Sequence, residues 1–162
     1  GNYLMALSNK FGYILLNTTN KSEAAVGYGT LYGDLCGGIG VLGDVYKTEV
    51  YKVCEVINKE KTIIPTHILE KAPSAELRPG QKDQDTLPPY DVLDKILFQY
   101  IELSQSPQDI LNLGFDEHTV RRTLKMVNSN EWKRFQFPPV LRVSPKAFGV
   151  GRRMPIEGKY LS

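Results

Sequence analysis

Residues 13–34 read YILLNTTNKSEAAVGYGTLYGD. Tyr13 to Asn17 put apolar side chains on both faces of an extended chain, the pattern of a central strand in a parallel sheet rather than of a half-exposed hairpin strand. A polar turn follows. From Ser22 to Tyr32 small and apolar residues recur at helical spacing, with Asn20 or Ser22 available as the cap. Strand, loop and helix together predict an α/β fold. Because open parallel sheets hold ligands beyond the carboxyl ends of their strands, the polar corner behind Asn17 is the candidate site.

Upstream, NYLMALSNKFG reads as the last turns of a helix stopped at Gly12, with Lys10 near its carbonyl end, where a cation is favoured. Downstream, GDLCGGIGVLGD is a glycine-rich loop, and Asp44 caps a helix whose apolar positions are Tyr46, Val50, Val53, Cys54 and Ile57. Gly37, Gly38 and Gly40 license a close backbone approach, but no GK[ST] follows them, so they make no phosphate loop on their own. Residues 72–89, APSAELRPGQKDQDTLPP, are rich in proline and charge and read as a mobile surface loop, long for an idle connection. An amphipathic helix runs from Pro89 to Leu103, a short one opens at Ser106-Pro107, and a third, capped by Asp116, reaches about Asn128. Residues 136–162 close the chain as an extended basic tail.

A strand buried on both faces needs a neighbour at each edge, since every unpaired buried backbone group costs about 1–3 kcal/mol. KTIIP, Lys61 to Pro65, is the one companion in view. The chain is therefore expected to be the C-terminal part of a larger α/β domain, whose other strands lie upstream.

Composition sets the remaining bounds. The chain has 162 residues, 41% of them hydrophobic, and a formal net charge of +2. That is enough for one domain with a sizeable core, and too little charge for a field that recruits nucleic acid or an anionic membrane. No apolar run is long enough to span a bilayer, and no basic start precedes an apolar one, so a cytoplasmic protein with no membrane or nucleic-acid partner is expected. Cys36 and Cys54 sit in unlike contexts without a CxxC spacing, and His67 and His118 stand far apart. Reduced thiols and ordinary histidines are expected rather than a disulfide or a metal centre.

The stretches LMALSNKFGYILLNTTNKSEAAVGYGTLYGD, GDVYKTEVY, KAPSAELRPGQKDQDTLPPYDVLD and KRFQFPP with AFGVGRRMPI stand in one order along nearly the whole chain. Together they resemble the C-terminal half of an NAD synthetase, most closely the glutamine-dependent type, in which an ammonia-producing domain precedes the synthetase domain. The family's SGGxDS pyrophosphate-binding loop has no counterpart in these residues, and neither has the ammonia-producing domain. The resemblance thus implies the C-terminal portion of an ATP pyrophosphatase fold, a parallel sheet with helices on both faces, mostly helical in this segment. Residues 1–71 would form the nucleotide site, 72–89 a lid, 90–135 a helical segment and 136–162 the tail.

The reaction it implies is the ATP-dependent amidation of deamido-NAD by ammonia, through an adenylated carboxylate, with Mg2+ and no covalent enzyme nucleophile. Partners implied are an upstream synthetase half, a glutaminase domain and a second copy in a homo-oligomer; taken alone, the segment would be inactive. The family's motifs carry roles onto Thr18 (ATP), Glu23 (Mg2+, catalysis and deamido-NAD), Tyr28, Tyr32 and Asp34 (deamido-NAD), Lys47 (ATP phosphates and catalysis), Ser74 (ATP) and Lys133 (deamido-NAD, across a subunit boundary). Position 19 is Thr where the family usually has Gly. Plain structural readings stand beside these. Glu23 fits a capping box begun by Asn20, Tyr28 and Tyr32 fit ordinary i, i+4 packing, Asp34 fits a turn, Lys47 fits solvent and Ser74 fits a cap. Arg134, Arg152 and Arg153 either join Lys133 or face water. Two other functions stay open: a non-catalytic module that keeps the fold, and another ATP pyrophosphatase such as a GMP synthetase.

Overall fold

The strand that opens the polar corner is short. In the computed structural model, which describes residues 1–158 and Tyr160, β1 is Leu16–Asn17 and β2 is Ile39–Gly40. They pair in parallel, Leu16 opposite Ile39 and Asn17 opposite Gly40. Gly40 also forms a parallel bridge to Val140. The glycines make this approach possible, since a Cβ on Gly37 would lie 2.8 Å from that of Asn17. The expected partner, Lys61–Pro65, does not pair with β1. It curls around Asn58, whose Oδ1 accepts from Ile63 and Ile64 N–H at 2.9 and 2.8 Å. Nor is the strand buried on both faces, because Tyr13, Ile14 and Leu16 are each more than half exposed.

Helix α1, Asn2–Phe11, stops at Gly12, which takes the left-handed conformation with φ 69°. Helix α2, Lys21–Val26, is shorter than the apolar pattern predicts. It ends where Gly27 turns left-handed at φ 68°, so Tyr28 and Tyr32 lie in the following loop and not on the helix. A side chain at Gly27 would also collide with Asn130, whose Cγ lies 2.3 Å from the position of an added Cβ. Small residues in the run Ala24–Gly29 thus mark a helix end, which periodicity alone misses.

Helix α3 is Lys47–Ile57, with Tyr46 rather than Asp44 at its N-cap position. Asp44 is fully engaged elsewhere. It pairs with Lys21 at 2.8 Å and accepts from the N–H groups of Val143 and Ser144. Val53 and Ile57, expected on the buried stripe, are 47% and 43% exposed. Helix α4 is Thr66–Glu70. Residues 72–89 are mostly irregular but carry a 3-10 turn at Asp83–Asp85 and bury Asp83 and Leu87, so the loop is anchored at its end.

Helix α5, Tyr90–Leu97, continues into a π-helical turn at Phe98–Glu102. Its moiety of apolar positions is divided between two cores. Leu93 and Leu97 join Ala24, Ala25, Val26, Tyr46 and Phe148, whereas Ile96 joins Ile110, Val120 and Leu124 of α6, Pro107–Asn112, and α7, Glu117–Ser129. Both of these helices carry the expected caps, Ser106 and Asp116. A further short helix, α8, is Glu131–Arg134.

The closing segment is extended only in part. Ala147 and Phe148 are buried, Phe148 bridges to Arg152, and Met154 N–H donates to Glu131 Oε1 at 3.0 Å. The end of the expected tail, Lys159, Leu161 and Ser162, lies outside the described residues. No helix among the described residues is long and apolar enough to cross a membrane.

Candidate functional site

Asn17, the last residue of β1, organises the corner. Its Oδ1 accepts from Thr19 N–H at 3.0 Å, and its Nδ2 donates to the carbonyls of Asp34 and Cys36 at 2.8 and 3.1 Å. The turn after the strand and the loop after α2 are thereby drawn together. Between them and the segment 74–86 lies an open cleft of about 790 Å³, a size suited to a nucleotide-sized ligand.

Thr18, Glu23, Tyr28, Asp34, Ser74 and Lys133 all line it. Six of the eight positions read from the sequence are thus brought together from three separate stretches. Lys133 reaches the cleft of its own chain, where its Nζ donates to the carbonyls of Gly27 and Gly29 at 2.7 and 2.9 Å. A cation at the carbonyl end of α2 is favourably placed, and its third N–H remains for a ligand.

The structural and the chemical readings of Glu23 are not exclusive. The capping box is formed, with Asn20 N–H donating to Glu23 Oε2 and Glu23 N–H donating to Asn20 Oδ1, each at 3.0 Å. The carboxylate nevertheless lines the cleft. Burial pushes its pKa up, and Asp83 adds to that, while the bond from Asn20 and the charge of Lys47 act the other way. Asp34 likewise serves its turn, accepting from Thr30 N–H at 2.8 Å, and still faces the cleft. Ser74 Oγ accepts from Glu76 N–H at 3.0 Å.

Two positions fall outside the lining. Lys47 is half-buried with Nζ 5.6 Å from the ring centre of Tyr51 and 5.9 Å from that of Tyr90, close enough to Glu23 to favour its ionised form. Tyr32, with φ 61°, is exposed, and its hydroxyl donates to Gln136 Oε1 at 3.1 Å beside a different surface depression. Of the arginines, Arg134 neither faces water nor joins the cleft. It is buried, paired with Glu131 at 2.7 Å.

The sequence reading missed Asp83, Gln81 and Thr86, which also line the cleft. Asp83 is 3% exposed; one carboxylate oxygen accepts from Tyr90 OH at 2.8 Å and the other, Oδ1, has no partner among the described residues. A buried acceptor without a donor is a place where a ligand, ion or water gains a bond. The signal for it in the sequence, an aspartate seven residues before a tyrosine in a proline-rich loop, is too common to single out. No cluster of three or more metal-ligating side chains occurs among the described residues. Magnesium, however, uses one or two carboxylates and takes its other ligands from phosphates and water, so Glu23 in this cleft fits such an ion.

Fold and cleft together define an α/β protein with an open cleft past the carboxyl end of a parallel strand, where proteins of this class hold ligands. The family model described as NAD synthase matches residues 1–137, and the chain belongs to that family. It is 56% identical over 156 residues to the glutamine-dependent NAD(+) synthetase of Synechocystis sp., covering 96% of this chain and 28% of that protein. Its identity to the enzyme of the same name from Thermotoga maritima is 53% over 162 residues, 99% of this chain and 28% of the other. The solved structure of a glutamine-dependent NAD(+) synthetase from Cytophaga hutchinsonii superposes with a TM-score of 0.69 at 25% identity, over 97% of this chain and 26% of that one. The chain thus spans 28% of the length of these curated relatives.

Proposed function

We propose that this chain supplies half of the active site for the ATP-dependent amidation of deamido-NAD to NAD, with ammonia delivered from glutamine by an upstream domain. The observation that carries the reading is the convergence of Thr18, Glu23, Ser74, Asp34 and Lys133 on one cleft, in a chain 56% identical to a glutamine-dependent NAD(+) synthetase.

The chemistry has two steps. An oxygen of the nicotinate carboxylate attacks the α-phosphorus of ATP, the bond to pyrophosphate breaks, and an acyl adenylate forms. Ammonia then attacks the acyl carbon, AMP leaves with the former carboxylate oxygen, and one proton is released. No enzyme nucleophile takes part. The protein aligns two anionic nucleotides and offsets charge on the departing pyrophosphate. Thr18 and Ser74 supply hydroxyls for ATP, Lys47 a cation for its phosphates, and Asp34, Tyr28 and Lys133 contacts for deamido-NAD. Glu23 would hold Mg2+, which would supply charge neutralisation to the phosphates. Residues 72–89 act as the lid that keeps water from the adenylate.

The upstream synthetase half would add the pyrophosphate loop and further strands beside β1, which is consistent with the exposed apolar side chains of Tyr13, Ile14 and Leu16. The homodimer and a cytoplasmic setting belong to the same reading. The test is NAD formation by the full-length protein from deamido-NAD, ATP–Mg2+ and glutamine, with pyrophosphate and AMP released in equal amounts. Production of ADP in place of AMP, or no dependence on deamido-NAD, refutes it.

A further inference from the structure

Helix α3 begins with two backbone N–H groups that have no partner within the helix, and both are claimed by side chains from other elements. Lys47 N–H donates to Ser22 Oγ at 2.9 Å, and Thr48 N–H donates to Asp94 Oδ2 at 2.9 Å. Ser22 in turn donates its hydroxyl proton to Asp94 Oδ1. Ser22 is on α2, immediately before Glu23, and Asp94 is on α5; they are 0% and 5% exposed. Three helices therefore meet at one hydrogen-bonded knot, next in sequence to Glu23 but outside the lining of the cleft.

Two consequences follow. The first turn of α3 is no free anion site, because its donors are spent on Ser22 and Asp94; any phosphate near it must be met by the Lys47 side chain. The knot also holds the Asp94 carboxylate itself: burial pushes its pKa up, while the bonds from Ser22 and Thr48 act against that. The same helix α5 grips the Lys47 side chain as well. Tyr90, one turn before Asp94 and on the same face, lies under Lys47 Nζ, and its hydroxyl donates to Asp83 at 2.8 Å.

We propose that Asp94 is a positioning residue for the reaction: through Ser22 and Thr48 it sets the distance between Glu23 on α2 and Lys47 on α3, and with it the geometry in which ATP phosphates are held. The proposal rests on the nucleotide-site reading above. Asp94 touches no substrate. Its buried carboxylate has two functions at once, orienting the Ser22 hydroxyl and closing the N-terminus of α3.

The test is steady-state kinetics of the full-length protein. Asp94→Ala lowers kcat/KM for ATP by about ten- to a hundredfold, the equivalent of losing one hydrogen bond to a charged group, while the KM for deamido-NAD changes by less than about twofold on the same reasoning. Asp94→Asn, which keeps an acceptor for Thr48 N–H, recovers most of the loss. Ile110→Ala, in the second core away from the cleft, serves as the control: it lowers thermal stability and leaves kcat/KM for ATP unchanged at a temperature where the protein is folded. Should Asp94→Ala fail to fold, Ser22→Ala is read in its place, with the same selective loss expected. Equal losses for both substrates, no recovery with Asn, or a change in stability alone overturns the proposal. Glu23→Gln separates the two levels of inference. If that variant is fully active, the nucleotide-site reading has failed; if it is inactive while Asp94→Ala behaves as wild type, only the positioning role has.

Discussion

Glu23 shows how one side chain serves fold and chemistry together. Its carboxylate closes the capping box of α2 and lines the cleft, and burial raises its pKa. A raised carboxyl pKa means that the folded state binds protons more readily than the unfolded one, so stability falls as pH rises through the interval between the two values. Glu23→Gln keeps an acceptor for Asn20 N–H and removes the buried charge. It is expected to abolish NAD formation while unfolding at the same or a higher temperature than wild type at pH 8, with that advantage vanishing as pH falls below the glutamate range. Thermal scans at several pH values, beside activity, check this. Asp44 has the opposite sign. Burial pushes its pKa up, but Lys21 and the donors of Val143 and Ser144 outweigh burial and hold it low. Its contribution is present above the aspartate range and is lost on acidification. Asp44→Ala leaves Lys21, 0% exposed, with Glu102 as its one counter-charge among the described residues. A loss of about 3–5 kcal/mol in urea unfolding is expected, as for other broken buried pairs.

At the scale of elements, helix ends decide what the helices can present. Gly27 stops α2 after six residues and exposes the last carbonyls to Asn130 and Lys133, which tie α2 to α7 and α8. Gly27→Ala forces a β-carbon into a left-handed conformation, costing about 1–2 kcal/mol, and into the Asn130 side chain. A destabilisation of at least that size, with a raised KM for deamido-NAD as Lys133 is displaced, is the expected outcome; kinetics and denaturation on the same preparation measure both. The segment 72–89 belongs to this scale too. Its exposed stretch around Leu77–Gln81 lines the cleft and its end is pinned by Asp83 and Leu87. Proteolytic nicking between Leu77 and Lys82 is expected to slow when ATP and Mg2+ are added, and to be indifferent to AMP alone. Cleavage rates that ignore nucleotide would remove the lid from the account.

The molecule as a whole is built on α5, which touches both cores and, through its π-helical extension, brings Glu102 to Lys21. The chain beyond Val143 completes the structure. Ser144 donates to Asp44 Oδ1 at 2.8 Å, and Phe148 packs in the main core with Arg134 stacked 5.0 Å from its ring centre. A chain cut after Val143 is therefore expected to lose the stability carried by a core aromatic, about 3–5 kcal/mol, and to unfold at markedly lower urea concentration. Unchanged denaturation of the truncated protein would mean that this segment is ornamental.

Much of this was open to reading from residues alone, because caps, glycine stops and helical periodicity are local. The α/β unit and the caps at Asn20, Ser106 and Asp116 follow from neighbours in sequence, whereas the cleft residues Thr18, Glu23, Tyr28, Asp34, Ser74 and Lys133 were singled out by the family resemblance. What periodicity misjudged were features set by distant partners: where α2 stops depends on Gly27 meeting Asn130, and Asp44 leaves the helix start for Lys21 and Ser144. The pairing of β1 with a two-residue β2 inside a glycine loop carried no hydrophobic pattern to betray it. Asp83 and Asp94 became visible only once folding had buried them, since an acidic residue in a polar sequence looks solvated until the chain shows what surrounds it. Local backbone chemistry is written residue by residue, whereas burial and charge pairing exist only between segments that folding brings together.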